Sequence, residues 1–196
     1  MPARSNALSE LTRFWLEIRH GCFFREAIPV PVPYGLSDID LAAIRPDGTA
    51  FTLPSGIQVG PRIIIETKDE HDWDASGKKF GNSLLSDIEN LKDGPYIPAD
   101  VKGIHFVMLR QQHYEVAHSL FRSDDFDRLF VVHAIDAESL KKCEQHLQRH
   151  HIHWLTLTSL IDDLQKWYKQ HPRRTSLRNS ITGDMFHLIF GFYLGK

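Results

Sequence analysis

Apolar residues recur at helical spacing near the start of the chain. Leu8, Leu11, Trp15 and Ile18 fall on one face of a 3.6-residue period. A helix is predicted over 7–19, with Ser5 or Asn6 as N-cap and Gly21 as its stop. The pattern then shortens. Segment 23–32 (FFREAIPVPV) is extended, and its prolines push its second half to an edge. Tyr34-Gly35 turns the chain, 38–45 (DIDLAAIR) is a short strand, and 49–61 is a hairpin or loop after Pro46-Asp47-Gly48. Segment 62–68 (RIIIETK) is β-branched up to its polar end and predicts a central strand.

Helical spacing returns in 82–92 (NSLLSDIENLK), with Leu84, Leu85, Ile88 and Leu91 on one side. Ser83 and Asp87 are assigned to its polar side, where an exposed face is expected. Segment 104–109 is a buried-type strand, 114–121 a helix, 129–135 a strand, 137–148 a helix, 152–158 a strand and 160–170 a helix. This alternation predicts an α/β layer architecture. No linker divides it, so residues 1–196 are expected to form one domain.

With 196 residues, 42 % hydrophobic and 24 % charged, the chain can bury a core. The 23 Lys+Arg against 25 Asp+Glu exclude nucleic-acid binding driven by a global basic excess. Cys22 and Cys143 lie too far apart in sequence for a disulfide framework. Cys143, His146 and His150 share one helix, which rarely supplies a full zinc set. Residues 1–20 carry Arg4, Glu10, Arg13, Glu17 and Arg19, unlike a signal peptide. No run approaches the ~20 apolar residues of a membrane span. The expectation is a cytoplasmic protein with no membrane partner.

Two pairs of ionisable residues stand at strand ends. Asp38 and Asp40 share a face of their strand, as do Glu66 and Lys68 of theirs. Such groups beside an Ile-Ile-Ile strand are costly to desolvate unless they pair or bind a metal. If the strands are neighbours, Asp40 and Glu66 converge and Lys68 sits beside them. Hard divalent cations suit oxygen ligands, and an adjacent lysine can orient an attacking water. A cross-strand salt bridge is the plainer alternative.

Ser37-Asp38-Ile39-Asp40-Leu41 followed by Ile64-Ile65-Glu66-Thr67-Lys68 resembles the PD-(D/E)xK, restriction-endonuclease-like nucleases. The resemblance covers about residues 7–110 and implies an α-β-β-β-α-β core, a mixed central sheet flanked by helices. It implies Asp40 and Glu66 as metal ligands, with the Thr67 carbonyl as a third. It implies Lys68 as the residue that positions the water, Asp38 as an accessory acid, and Glu10 as the first-helix glutamate found in many members. Mg²⁺, with Mn²⁺ as substitute, is the implied cofactor, and DNA the implied substrate, RNA not being excluded. Residues 111–196 would then complete the sheet and serve specificity or dimerisation. Two departures are evident: the Asp40–Glu66 spacing requires an insertion between Arg45 and Arg62, and the literal Pro-Asp is absent. A catalytically degenerate member that only binds nucleic acid or protein is the alternative.

Charge is unevenly spread. Residues 69–127 hold twelve acids and six bases, whereas 141–178 hold eight bases and three acids. Lys141, Lys142, Arg149, Arg173, Arg174 and Arg178 are therefore candidates for tracking phosphates. They are equally what solvent-facing helices display. In the acidic loop after the triplet, His71 could serve as a ligand or base and Trp73 could stack on a base, but a solvated loop is the ordinary expectation. The apolar segment 185–194 (MFHLIFGFYL) is expected to close the core or to form a homodimer contact.

Overall fold

Ile63, Ile64 and Ile65 are wholly buried, as a strand covered on both faces requires. They lie in the middle strand of a mixed five-stranded sheet. The computed structural model describes residues 6–33, 35–68, 76–91, 94–171 and 181–193. In chain order these form α1 (Ala7–His20), β1 (Phe23–Val32), β2 (Gly35–Ile44), β3 (Phe51–Thr52), β4 (Gln58–Val59) and β5 (Arg62–Lys68). There follow α2 (Lys78–Ile88), a 3₁₀ turn (Val107–Leu109), α3 (Gln111–Phe121), β6 (Asp127–Val132), α4 (Ala137–Arg149) and β7 (Ile152–Thr156). The last elements are α5 (Leu157–Gln170), α6 (Ile181–His187) and a π-helical stretch, Leu188–Tyr193.

The sheet order is β1-β2-β5-β6-β7, and β3 and β4 form a separate small hairpin. β2 runs antiparallel to both of its neighbours, β1 and β5, while β6 and β7 continue the sheet from β5 in parallel. β5 is therefore where the antiparallel half meets the parallel half. Ile63 and Ile65 enter a core with α1, α5 and Phe186 of α6. Ile64 enters a second core with α2, α3 and α4. The protein is thus an α/β sandwich with helices on both faces.

The ends of α1 follow from its caps. Asn6 Oδ1 accepts the Ser9 N–H at 2.7 Å, and Gly21 takes the left-handed conformation, φ 64°. α2 lies close against α4 at Gly81. A Cβ added there would collide with the Ser139 Cβ. Gly81→Ala is expected to destabilise the fold by about 1–3 kcal/mol, read from urea unfolding. An unchanged midpoint would contradict this packing.

The strand expected over 104–109 is not formed. Phe106, Met108 and Leu109 are buried as expected, but Val107–Leu109 is a 3₁₀ turn without strand neighbours. A short apolar run does not by itself distinguish a strand from other buried chain. The parallel neighbour of β5 is β6. The next strand of the sheet after β5 therefore comes at 127–132, beyond the boundary near 110, with the β3–β4 hairpin and α3 as additional elements before it. The helix expected over 82–92 begins earlier, at Lys78, and ends at Ile88. β7 stops at Thr156 because the Thr156 hydroxyl caps α5, accepting the Ser159 N–H at 3.2 Å. The 185–194 segment closes one core through Phe186, yet leaves Met185, Leu188 and Ile189 exposed. No described helix is long and apolar enough to cross a membrane.

Candidate active site

β2 and β5 pair from Ile44↔Arg62 to Leu41↔Ile65. Beyond that pair a side chain takes over from the backbone ladder. Asp40 Oδ2 accepts the Thr67 N–H at 2.7 Å and the Thr67 hydroxyl at 2.9 Å. On its other edge β5 stays paired with β6 through Lys68↔Val132. The β2–β5 ladder thus ends at Asp40, at the carboxyl end of β5, the strand shared by the antiparallel and parallel halves.

Glu66 is buried, and Lys68 Nζ lies 2.7 Å from its Oε1. Glu66 Oε2 accepts the Met108 N–H at 3.2 Å. Asp40 and Glu66 are therefore both linked into the Glu66-Thr67-Lys68 segment and its surroundings. Lys68 acts on both carboxyls, and Asp38 adds a like charge beside Asp40. Burial pushes the Asp40 carboxyl above its ordinary range, opposed by the Thr67 donors and Lys68 and reinforced by Asp38. Burial likewise pushes Glu66 up, opposed by Lys68 and the Met108 N–H and reinforced by Asp40.

Among the described residues, no group of three His, Cys, Asp or Glu side chains could hold a metal ion. The site fits a hard cation only through two carboxylates supplemented by main-chain oxygen and water. That is a coordination habit of Mg²⁺.

Asp38 lies on β2 opposite Pro29, close enough for its charge to act on Asp40. The neighbouring Ser37 Oγ is 3.1 Å from His113 Nε2. Burial lowers the His113 pKa to about 4, so the ring is neutral at pH 7. Glu10 is placed differently from the others. It lies 3.7 Å from Arg13 and lines a groove of about 570 Å³ with Leu11, Met185, Phe186 and Ile189. The N-cap of α1, Asn6, reaches the strand motif: its Nδ2 donates to Thr67 Oγ1 at 3.3 Å. Sequence reasoning singled out Asn6 only as a cap.

Asp87 overturns its expected place on an exposed helix face. It is fully buried, and its carboxylate accepts the backbone N–H groups of His105 and Phe106. The helical spacing held the signal. Asp87 lies three residues after Leu84 and four before Leu91, both buried. On α4, Lys141, Lys142 and Arg149 are exposed, with Lys142 2.6 Å from Glu138. Arg173, Arg174 and Arg178 lie outside the described residues, as do His71 and Trp73. Cys143 is buried in the second core and its thiol is pushed up to about 11, which suits packing rather than metal binding.

No family model matches the chain, and no curated protein or solved structure is detectably similar to it.

Proposed function

We propose that the protein is a divalent-metal-dependent nuclease of the PD-(D/E)xK type that hydrolyses phosphodiester bonds in DNA. The observation that carries this reading is the pair of desolvated, raised carboxyls, Asp40 and Glu66, beside Lys68 at the carboxyl end of β5. In support, α1, the sheet strands β1, β2 and β5, α2 and β6 follow the α-β-β-β-α-β order once the separate β3–β4 hairpin and helix α3 are set aside. Asp40, Glu66 and the Thr67 carbonyl would hold Mg²⁺, or Mn²⁺ in its place. Such an ion would supply Lewis acidity toward a phosphoryl oxygen and the attacking water.

The chain's own groups do the rest. Lys68 orients the water and offsets negative charge that develops as its oxygen bonds to phosphorus and one P–O ester bond breaks. Glu66 holds the ammonium in place at 2.7 Å. Asn6 and Thr67 orient the Asp40 carboxylate. The exposed bases of α4 are candidates for backbone phosphate contacts. The test is incubation with supercoiled, linear and single-stranded DNA, with Mg²⁺, Mn²⁺ or EDTA. Cleavage only with the ions supports the reading, and metal-independent cleavage or none opposes it.

A degenerate, binding-only protein is the second reading. It is favoured by the engagement of Asp40 Oδ2 and both Glu66 oxygens with protein groups. Binding of DNA without cleavage under every ion condition would select it.

The raised carboxyls also make stability pH-dependent. Their folded pKa values lie above the unfolded ones, about 4. Their favourable contribution is full below the unfolded values and is lost as pH rises through the folded ones. A bound cation offsets that loss at neutral pH, where protons no longer compete. Mn²⁺ is therefore expected to raise Tm more at pH 7.5 than at pH 5. Equal shifts at both would contradict it.

A further inference from the structure

Asp87 is held by a short segment that leads into the site. Its Oδ2 accepts the Phe106 N–H at 2.7 Å and the His105 N–H at 2.9 Å. Its Oδ1 lies 3.0 Å from His105 Nδ1, with which it is paired as the acceptor. A carboxylate with no exposed surface is tolerable only with such donors. The Phe106 ring is fixed in turn between Phe80, at 5.0 Å, and Phe130, at 5.1 Å. Two residues further on, the Met108 N–H reaches Glu66 Oε2. Leu109 O then receives the Ile97 N–H at 2.7 Å, which anchors the far side of the turn.

We propose that Asp87 is a positioning residue for Glu66, acting through the 105–108 segment. This rests on the nuclease reading for its catalytic meaning, but the linkage itself is a property of the fold. A carboxylate suits the place because it only accepts, and the segment presents donors from three directions. An asparagine would turn one amide N–H₂ toward those donors. The segment would then shift, and the Met108 N–H would no longer be held against Glu66. Outer hydrogen-bond partners of metal ligands typically carry about 10–100-fold in metal affinity.

The test compares wild type, Asp87→Asn and His105→Ala. His105→Ala removes one contact of the same carboxylate from a half-exposed residue, so it keeps the question open should Asp87→Asn not fold. Amide hydrogen exchange is followed at Met108 and at Ile64 and Ile65, and Mn²⁺ affinity is measured by titration calorimetry. Exchange at Met108 is expected to quicken about tenfold in Asp87→Asn and less in His105→Ala, with Ile64 and Ile65 unchanged. Mn²⁺ affinity is expected to fall about tenfold in Asp87→Asn. With active enzyme, kcat at limiting Mn²⁺ falls, KM for DNA holds, and excess Mn²⁺ restores the rate. Unchanged Met108 exchange and Mn²⁺ affinity in a folded variant overturn the proposal. A wild type that binds no Mn²⁺ overturns the nuclease reading, and Met108 exchange alone then decides the role of Asp87.

Discussion

Asp40→Asn is expected to abolish cleavage while leaving the protein at least as stable as wild type. The two effects have one cause. Burial makes the Asp40 charge unfavourable in the folded chain, and the nearby charges of Glu66 and Asp38 add to the strain. An asparagine keeps an oxygen to accept the Thr67 N–H and hydroxyl. It removes the negative charge that would hold a divalent ion. Activity should fall by about 10³-fold or more, the scale expected when electrostatic stabilisation is removed from a transition state. The thermal midpoint without metal should hold or rise, and Mn²⁺ should no longer raise it. A variant that is both inactive and much less stable would assign Asp40 a structural role instead. The combination of lost activity with held stability is the mark of a site where function and folding conflict.

Lys68→Met is expected to be the opposite case, costing both activity and stability. Methionine keeps much of the stem and removes the ammonium 2.7 Å from Glu66. Glu66 is then buried without its counter-charge, a change on the order of 3 kcal/mol when a buried pair is broken. Glu66 can escape by protonation, so the cost depends on pH. Its folded pKa, already raised, rises further, and stability is lost as pH climbs through that value. The deficit against wild type should therefore be small at pH 5 and large at pH 8, read from urea unfolding at both. Cleavage should fall by about 10²–10⁴-fold with the water no longer oriented. A deficit independent of pH would mean that Lys68 acts by packing alone.

Much of the framework was legible because local and tertiary demands agree. β5 runs over the residues expected, Arg62–Lys68, because three β-branched residues suit a strand buried on both faces. α1 has the expected start because Asn6 caps it, and it ends where Gly21 adopts a left-handed conformation. The meeting of Asp40 with the Glu66-Thr67-Lys68 segment was legible because β2 and β5 are neighbours, but simple alternation fails there: Ile39 enters one core and Leu41 the other, and Asp40 bonds to Thr67. The segment 104–109 was misread because burial there comes from helix α2 and strand β6, not from strand pairing. Asp87 was misread because an acid on an amphipathic helix usually faces water, whereas here the donors of a distant segment supply its solvation. Glu10 could be placed on its helix, but the groove it lines is set by α6, far along the chain. Such long-range partners leave no local pattern.

Under the proposed function, Asp40, Glu66 and Lys68 form one metal-dependent centre for phosphodiester hydrolysis. This is tested most directly by incubating supercoiled plasmid with wild type and Asp40→Asn, each with Mg²⁺ and with EDTA. Nicked or linear DNA should appear only with wild type and Mg²⁺. Equal cleavage by Asp40→Asn, or by wild type in EDTA, would contradict the account.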